Sequence, residues 1–178
     1  MAWLLRQSAG PGWVLVGDAG HFKDPTTGQG ISDALRQTEQ LAHTIDNALG
    51  ITNFDAAMQR WWRWRDDDAY EMYWFASLKG QPSASSALTT RLLQDISVDA
   101  DASRSFLRLL NHDVRPSQLF APAILARATG GVIRDEPSRT VATLKEALGS
   151  AKRNVRQARQ KRLRPPGMTN AAWRKSAG

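Results

Sequence analysis

The stretch GWVLVGDAGHFKDPTTGQGISDALR, residues 12–36, decides how the rest of the chain is read. Its opening, Trp13-Val14-Leu15-Val16, is apolar and β-branched, framed by Gly10-Pro11-Gly12 before and Gly17-Asp18 after, the pattern of a buried strand. His21 to Gly30 then hold Asp24-Pro25, Thr26, Thr27, Gly28 and Gly30, a density of turn formers that predicts a loop. From Ile31 the spacing turns helical: Ile31, Ala34, Leu35, Thr38, Leu41, Ala42, Ile45 and Leu49 share one face, and Gly50 is the expected stop. A carboxylate at a strand's carboxyl end, a glycine loop and a helix start free of bulky side chains together suit a cofactor. Ligands in open sheets sit beyond the strand ends, where the N–H groups of a first helical turn and the positive end of its dipole favour negative charge.

Further along, a second helix is expected from about Asn53 to Lys79, with Phe54, Met58, Trp61, Trp64, Met72 and Phe75 as its apolar side and Gly80 as its end. On that helix Trp62 is expected to point elsewhere, and Arg63 with Asp67 and Arg65 with Asp68 to pair along a solvated face. Trp61, Trp64 and Trp74 are expected to pack against parts of a larger protein. Residues 81–87 read as a linker, followed by weaker helical patterns at about 87–97 and 101–112. Pro116 opens another helix that ends at Gly130-Gly131, with Gly131-Val132-Ile133 the one candidate for a second strand. Behind Ser138, a candidate N-cap, Val141, Leu144, Leu148, Ala151, Val155 and Ala158 alternate at spacings of three and four, which predicts a long helix.

Composition bounds the function classes. With 178 residues the chain fits one ordinary domain or a piece of a larger one, and the absence of cysteine excludes a disulfide scaffold or thiolate metal site. Hydrophobic residues at 42% and charged residues at 23% are globular proportions, which argues against wholesale disorder. Trp3, Leu4 and Leu5 before Arg6 are too short for a signal-peptide core, and no apolar run reaches the ~18 residues of a membrane span, so a cytoplasmic chain is expected. The net charge of +7 is local: residues 151–178 hold nine basic side chains and no acid, whereas the other 150 residues carry 15 basic and 17 acidic groups.

Several chemistries find no support. No nucleophile elbow surrounds any serine, and no phosphate-binding Gly-x-x-x-x-Gly-Lys loop exists. His43 and His112 are isolated and lack ligand spacing, so no metal site is expected.

The order strand, Gly17-Asp18, Asp24-Pro25, Gly28-Gln29-Gly30 and amphipathic helix resembles the class A flavin-dependent monooxygenases, with the His21-Phe22-Lys23-Asp24-Pro25 variant closer to the geranylgeranyl-reductase-like and halogenase-like branches. The Trp-x-Trp-x-Ile-Pro signature of some flavin halogenases is not met, because Arg65-Asp66 follows Trp62-Arg63-Trp64. The resemblance implies FAD as cofactor, NAD(P)H as electron donor, a small-molecule substrate, and cofactor binding by Gly17, Asp18, Ala19, Pro25, Gly28, Gln29, Gly30 and Ile31. Asp18 would accept a hydrogen bond from a ribityl hydroxyl, Pro25 would line the flavin ring, and the Gly28–Ile31 backbone would face N1 and the C2 carbonyl, while His21 would line flavin or substrate. The same order also describes a plain strand–loop–helix connection in which Asp18 caps a turn.

The resemblance covers about residues 10–50. The Gly-x-Gly-x-x-Gly turn that holds the FAD pyrophosphate in that family is absent, since Gly10, Gly12 and Gly17 have the wrong spacing and precede a strand. The expected fold is therefore mainly α with one or two short strands, the C-terminal part of an α/β, Rossmann-like FAD-binding fold that is incomplete and inactive alone. Its divisions are residues 1–50 (strand, Gly-Asp loop and helix), 51–135 (helical) and 136–178 (basic helix and tail, disordered at its end). The competing expectation is a non-catalytic basic helical protein that binds a partner, nucleic acid or another anionic surface through residues 152–175.

Overall fold

The computed structural model describes residues 7–49, 54–80 and 86–163, with the side chains of 160–163 outside the description. Gly50, most of the linker and the tail from Arg164 onward lie outside the described residues. The chain forms two compact units, one built from residues up to Gly80 and one from Gln81 to Gln160.

In the N-terminal unit, β1 (Ala9–Gly10) and β2 (Trp13–Val14) make an antiparallel hairpin in the register Ala9↔Val14 and Gly10↔Trp13. Leu15 N–H donates to Ser8 O at 2.9 Å and extends the pairing by one step. The strand expected over Trp13–Val16 is thus shorter and finds its partner just upstream. Trp13 is 43% exposed, and Val14, Leu15 and Val16 are only half-buried. Helices α1 (Gly30–Ala48) and α2 (Phe54–Lys79) pack on each other and on the hairpin. Their core holds Ala9, Leu41, Ala48, Ala57, Met58, Trp61 and Trp62, with Val14, Val16 and Trp64 at its border. Each large side chain buried there contributes about 1.5–3 kcal/mol.

Three expectations about α2 are corrected. Trp62, expected to point elsewhere, and Trp61, expected to pack against parts of a larger protein, are both buried in this unit's own core. Arg65, expected at the surface with Asp68, is fully buried, 2.7 Å from Asp66, and donates to Ser8 Oγ at 2.6 Å. Burial pushes its guanidinium below the ordinary arginine value while the Asp66 charge opposes the shift. Asp68 pairs instead with Arg36 of α1 at 2.7 Å. The hairpin reaches the middle of α2, so a polar anchor there must find its partners inside.

The C-terminal unit is helical: α3 (Ala87–Val98), α4 (Ala100–Leu110), the single turn α5 (Pro116–Leu119), α6 (Pro122–Asp135) and α7 (Thr140–Leu163). Among the described residues, Leu88, Leu109, Leu119, Ala128 and Val132 are its buried apolar side chains. Ser86 caps α3 by accepting from Thr89 N–H, and Asp99 caps α4 by accepting from Asp101 and Ala102 N–H. The helix expected from Pro116 to Gly130 is broken, because Ala121, held extended before Pro122, ends one segment and Pro122 starts the next. Gly131-Val132-Ile133 lies inside α6, not in a strand, and the Arg91 guanidinium, paired with Asp95 and Asp135, rests where a Cβ on Gly131 would stand. Ser138 sits within a 3₁₀ turn, Pro137–Arg139, that precedes α7 rather than capping it.

The end of α4 yields a test. His112 adopts φ +64°, its N–H donates to Leu109 O at 3.1 Å and Asp113 N–H to Arg108 O at 2.8 Å, the bonding of a Schellman stop with a residue where glycine is preferred. His112→Gly is expected to raise the stability of this unit by about 0.5–1 kcal/mol in urea unfolding. A loss of stability would show that the His112 side chain itself holds the turn.

Candidate functional site

Between β2 and α1 the chain makes two 3₁₀ turns, Gly17–Ala19 and Pro25–Thr27. Gly17 adopts φ +59°, donates its N–H to Gln37 Oε1 at 2.9 Å, and would bring a Cβ within 3.2 Å of Ala34. A side chain there would be strained in conformation and crowded against α1, so the glycine lets the strand end dock on the helix. Asp24 caps the second turn, accepting from the Thr26 hydroxyl and from Thr26 N–H at 3.0 Å, and these hydrogen bonds hold its carboxyl below the usual aspartate value. Gly28 closes that turn at φ +66°, with open space where its Cβ would be.

These turns bring Asp18 to the start of α1. A Cβ placed on Gly30 would stand 4.0 Å from Asp18 Oδ1. Asp18, Ala19, Pro25, Gly28, Gly30 and Ile31 are all exposed, with Ile31 at 79%. The cap residue of α1, Gln29, makes no side-chain cap bond, and the first-turn residues Gly30, Ile31 and Ser32 are exposed beside one carboxylate. Gly17 and Gln29 lie under this face, buried. His21 is buried, 2% exposed, with its ring 6.0 Å from that of Tyr73, so the structure places it in the packing of the loop on α2 and not at the exposed face.

Under the exposed face sits a charge cluster that motif reading passed over. Lys23 Nζ lies 2.5 Å from Asp33 Oδ2 and donates to Gln29 Oε1 at 3.0 Å, and all three residues are buried. Burial pushes the Lys23 ammonium below the ordinary lysine range, against the opposing pull of Asp33. Gln29 and Asp33 are the cap position and first turn of α1, so one lysine ties the loop to the beginning of the helix. Its only trace in the sequence is a lysine in an otherwise small and turn-forming segment.

That cluster accounts for a correction to α1. Its inward line is Asp33, Gln37, Leu41 and Ala48, whereas Ile31, Leu35, Ala42, Ile45 and Leu49 of the expected core face point outward, Leu35 and Leu49 each 68% exposed. Asp33 meets Lys23, the Gln37 side chain accepts from Gly17 N–H, and the Gln37 carbonyl accepts from Trp61 Nε1 at 3.2 Å. Polar groups satisfied in this way can be buried without the loss that would otherwise drive them to the surface.

A separate hollow of about 300 Å³ between α1 and α2 is lined by Gln40, Thr44, Asn47, Arg60, Trp61 and Trp64 among others, and its lining has one charged side chain, Arg60, and no carboxylate. Among the described residues no three His, Asp or Glu side chains converge on a metal position, and no helix is long and apolar enough to cross a membrane. No protein-family model, curated protein or solved structure matches the chain.

Proposed function

We propose that residues 12–36 are the flavin-facing element of an FAD-dependent oxidoreductase of the NAD(P)H-driven monooxygenase type, acting on a small-molecule substrate. The observation that carries this reading is the Asp18 carboxylate beside the exposed start of α1, 4.0 Å from the position of a Gly30 Cβ. The residues present fit the group: an acceptor for a hydroxyl, donors for an electron-rich heterocycle edge, a rigid exposed Pro25, and glycine backbone that a flat ring can approach.

FAD, when bound, supplies electron acceptance from NAD(P)H and activation of oxygen. The chain's own work is binding and electrostatics. Asp18 accepts a hydrogen bond from the ribityl chain. The amides of Gly30 and Ile31 and the positive end of the α1 dipole stabilise negative charge brought against them. Lys23, Gln29 and Asp33 keep those amides aimed. A pyrophosphate-binding turn is absent from the sequence, so the ADP half of the cofactor is held by other polypeptide. In this reading that polypeptide packs on the outward apolar row of α1 and on half-buried Val14 to Val16, completing an α/β fold around the hairpin.

Titration with FAD, followed by flavin fluorescence, tests this. Weak binding is expected, and Asp18→Ala is expected to weaken it about 10- to 100-fold through loss of one charged hydrogen bond, worth ~1.5–3 kcal/mol. The matched variant Asp46→Ala, at the far end of α1, is expected to bind as the parent does. Equal affinity of all three proteins for FAD overturns the assignment of Asp18. Retention of FAD through desalting by the unaided chain would overturn the need for a separate ADP-binding half.

A further inference from the structure

Helix α7 leaves most of its large apolar side chains exposed and buries polar or small ones. Thr143 is buried, Glu146, Ala147, Ser150 and Gln157 are half-buried, and Ser86 Oγ donates to Glu146 Oε1 at 2.5 Å, which defines the inward side. Val141, Leu144, Leu148 and Val155 are 66%, 44%, 61% and 69% exposed. With Ala151 and Ala158 they recur at three- and four-residue spacing, so they form one exposed stripe centred about 120° around the helix from Thr143 and Ser150. From Val141 to Val155 the stripe runs about 21 Å.

Charge distinguishes what could cover it. At about 100° per residue, exposed Lys145, Lys152, Arg156 and Arg159 fall along one border of the stripe, and no acid follows Glu146 in the helix. A second copy docking stripe to stripe would set these cations against their own counterparts if antiparallel, and would leave them with no anion to meet if parallel. A nucleic-acid backbone would use the cations and leave four aliphatic side chains in water. A bilayer with anionic headgroups uses both: aliphatic side chains enter the acyl boundary while the long basic side chains reach back to the headgroups.

We propose that the outward face of α7 docks on an anionic lipid surface, with the helix axis parallel to the membrane plane. This interaction is independent of the flavin reading, since it uses none of the residues 12–36.

The test is sedimentation of the full chain with phosphatidylcholine vesicles containing or lacking phosphatidylserine. Binding is expected only with phosphatidylserine and is expected to fall as salt is raised. K152Q/R156Q/R159Q is expected to lower partitioning about 100-fold. L144D/L148D is expected to lower it by at least ~10-fold with all cations and the basic tail intact. L107D, a comparable exposed leucine on α4, serves as the control and is expected to bind unchanged. Circular dichroism of each variant confirms that the helices persist, since the altered side chains are exposed. Equal binding to neutral vesicles, full binding by L144D/L148D, or binding to duplex DNA but not to vesicles would each overturn the proposal, as would binding to neither.

Discussion

Lys23→Met is expected to destabilise the N-terminal unit by about 3–5 kcal/mol, as removal of one partner from a buried ion pair does. The lysine is 6% exposed, its ammonium is 2.5 Å from Asp33 Oδ2, and the Asp33 side chain is only 9% exposed. Substitution leaves that carboxylate in a low-dielectric position without the lysine, and Gln29 loses the donor to its side-chain oxygen. The double variant Lys23→Met, Asp33→Leu is expected to recover most of the loss, because both charges leave together and their volume is refilled by apolar groups. Urea unfolding followed by tryptophan fluorescence measures both. A single-variant cost below ~1 kcal/mol would mean that the pair is solvated and that the loop is not fastened to α1 through it.

The second large effect belongs to Trp61→Ala, expected to cost about 3–5 kcal/mol. Trp61 is 2% exposed, joins α1 to α2 within the cluster of Leu41, Ala57 and Met58, and donates from Nε1 to the Gln37 carbonyl. Truncation removes the ring's contacts and opens a cavity between two helices. Trp61→Phe keeps much of the volume and loses the donor, so its cost is expected to be less than half as large. If alanine and phenylalanine cost the same, the hydrogen bond and not the packing holds α1 against α2. Gln37 also accepts from Gly17 N–H, so loosening α1 here is expected to weaken the proposed flavin binding at Asp18 as well.

The elements were legible because their signals are local. Turn formers between His21 and Gly30 place the loop, Gly80 ends α2, and Asp99 supplies the cap at which one helix gives way to the next. The break at Ala121 went unread, the expected helix running from Pro116 to Gly130, although its signal, Pro122, is equally local. Asp18 and the glycines at 28 and 30 come together because they are neighbours along one strand–loop–helix connection, and short loops leave few ways to join those pieces.

Periodicity, by contrast, groups side chains onto a helix face without saying which face turns inward. On α1 and α7 the apolar row points out, and residues such as Asp33, Gln37 and Thr143 point in. The decision rests on partners distant in sequence. Lys23 satisfies Asp33, Gly17 satisfies Gln37, and Ser8, 57 residues before Arg65, makes room for a guanidinium in the core. The amino-acid sequence by itself determined where helices and turns begin and end, through caps, prolines and glycines acting over a few residues. Only the tertiary structure decided their orientation, because a polar group can be buried only where another segment supplies the hydrogen bond or counter-charge that water would otherwise give it.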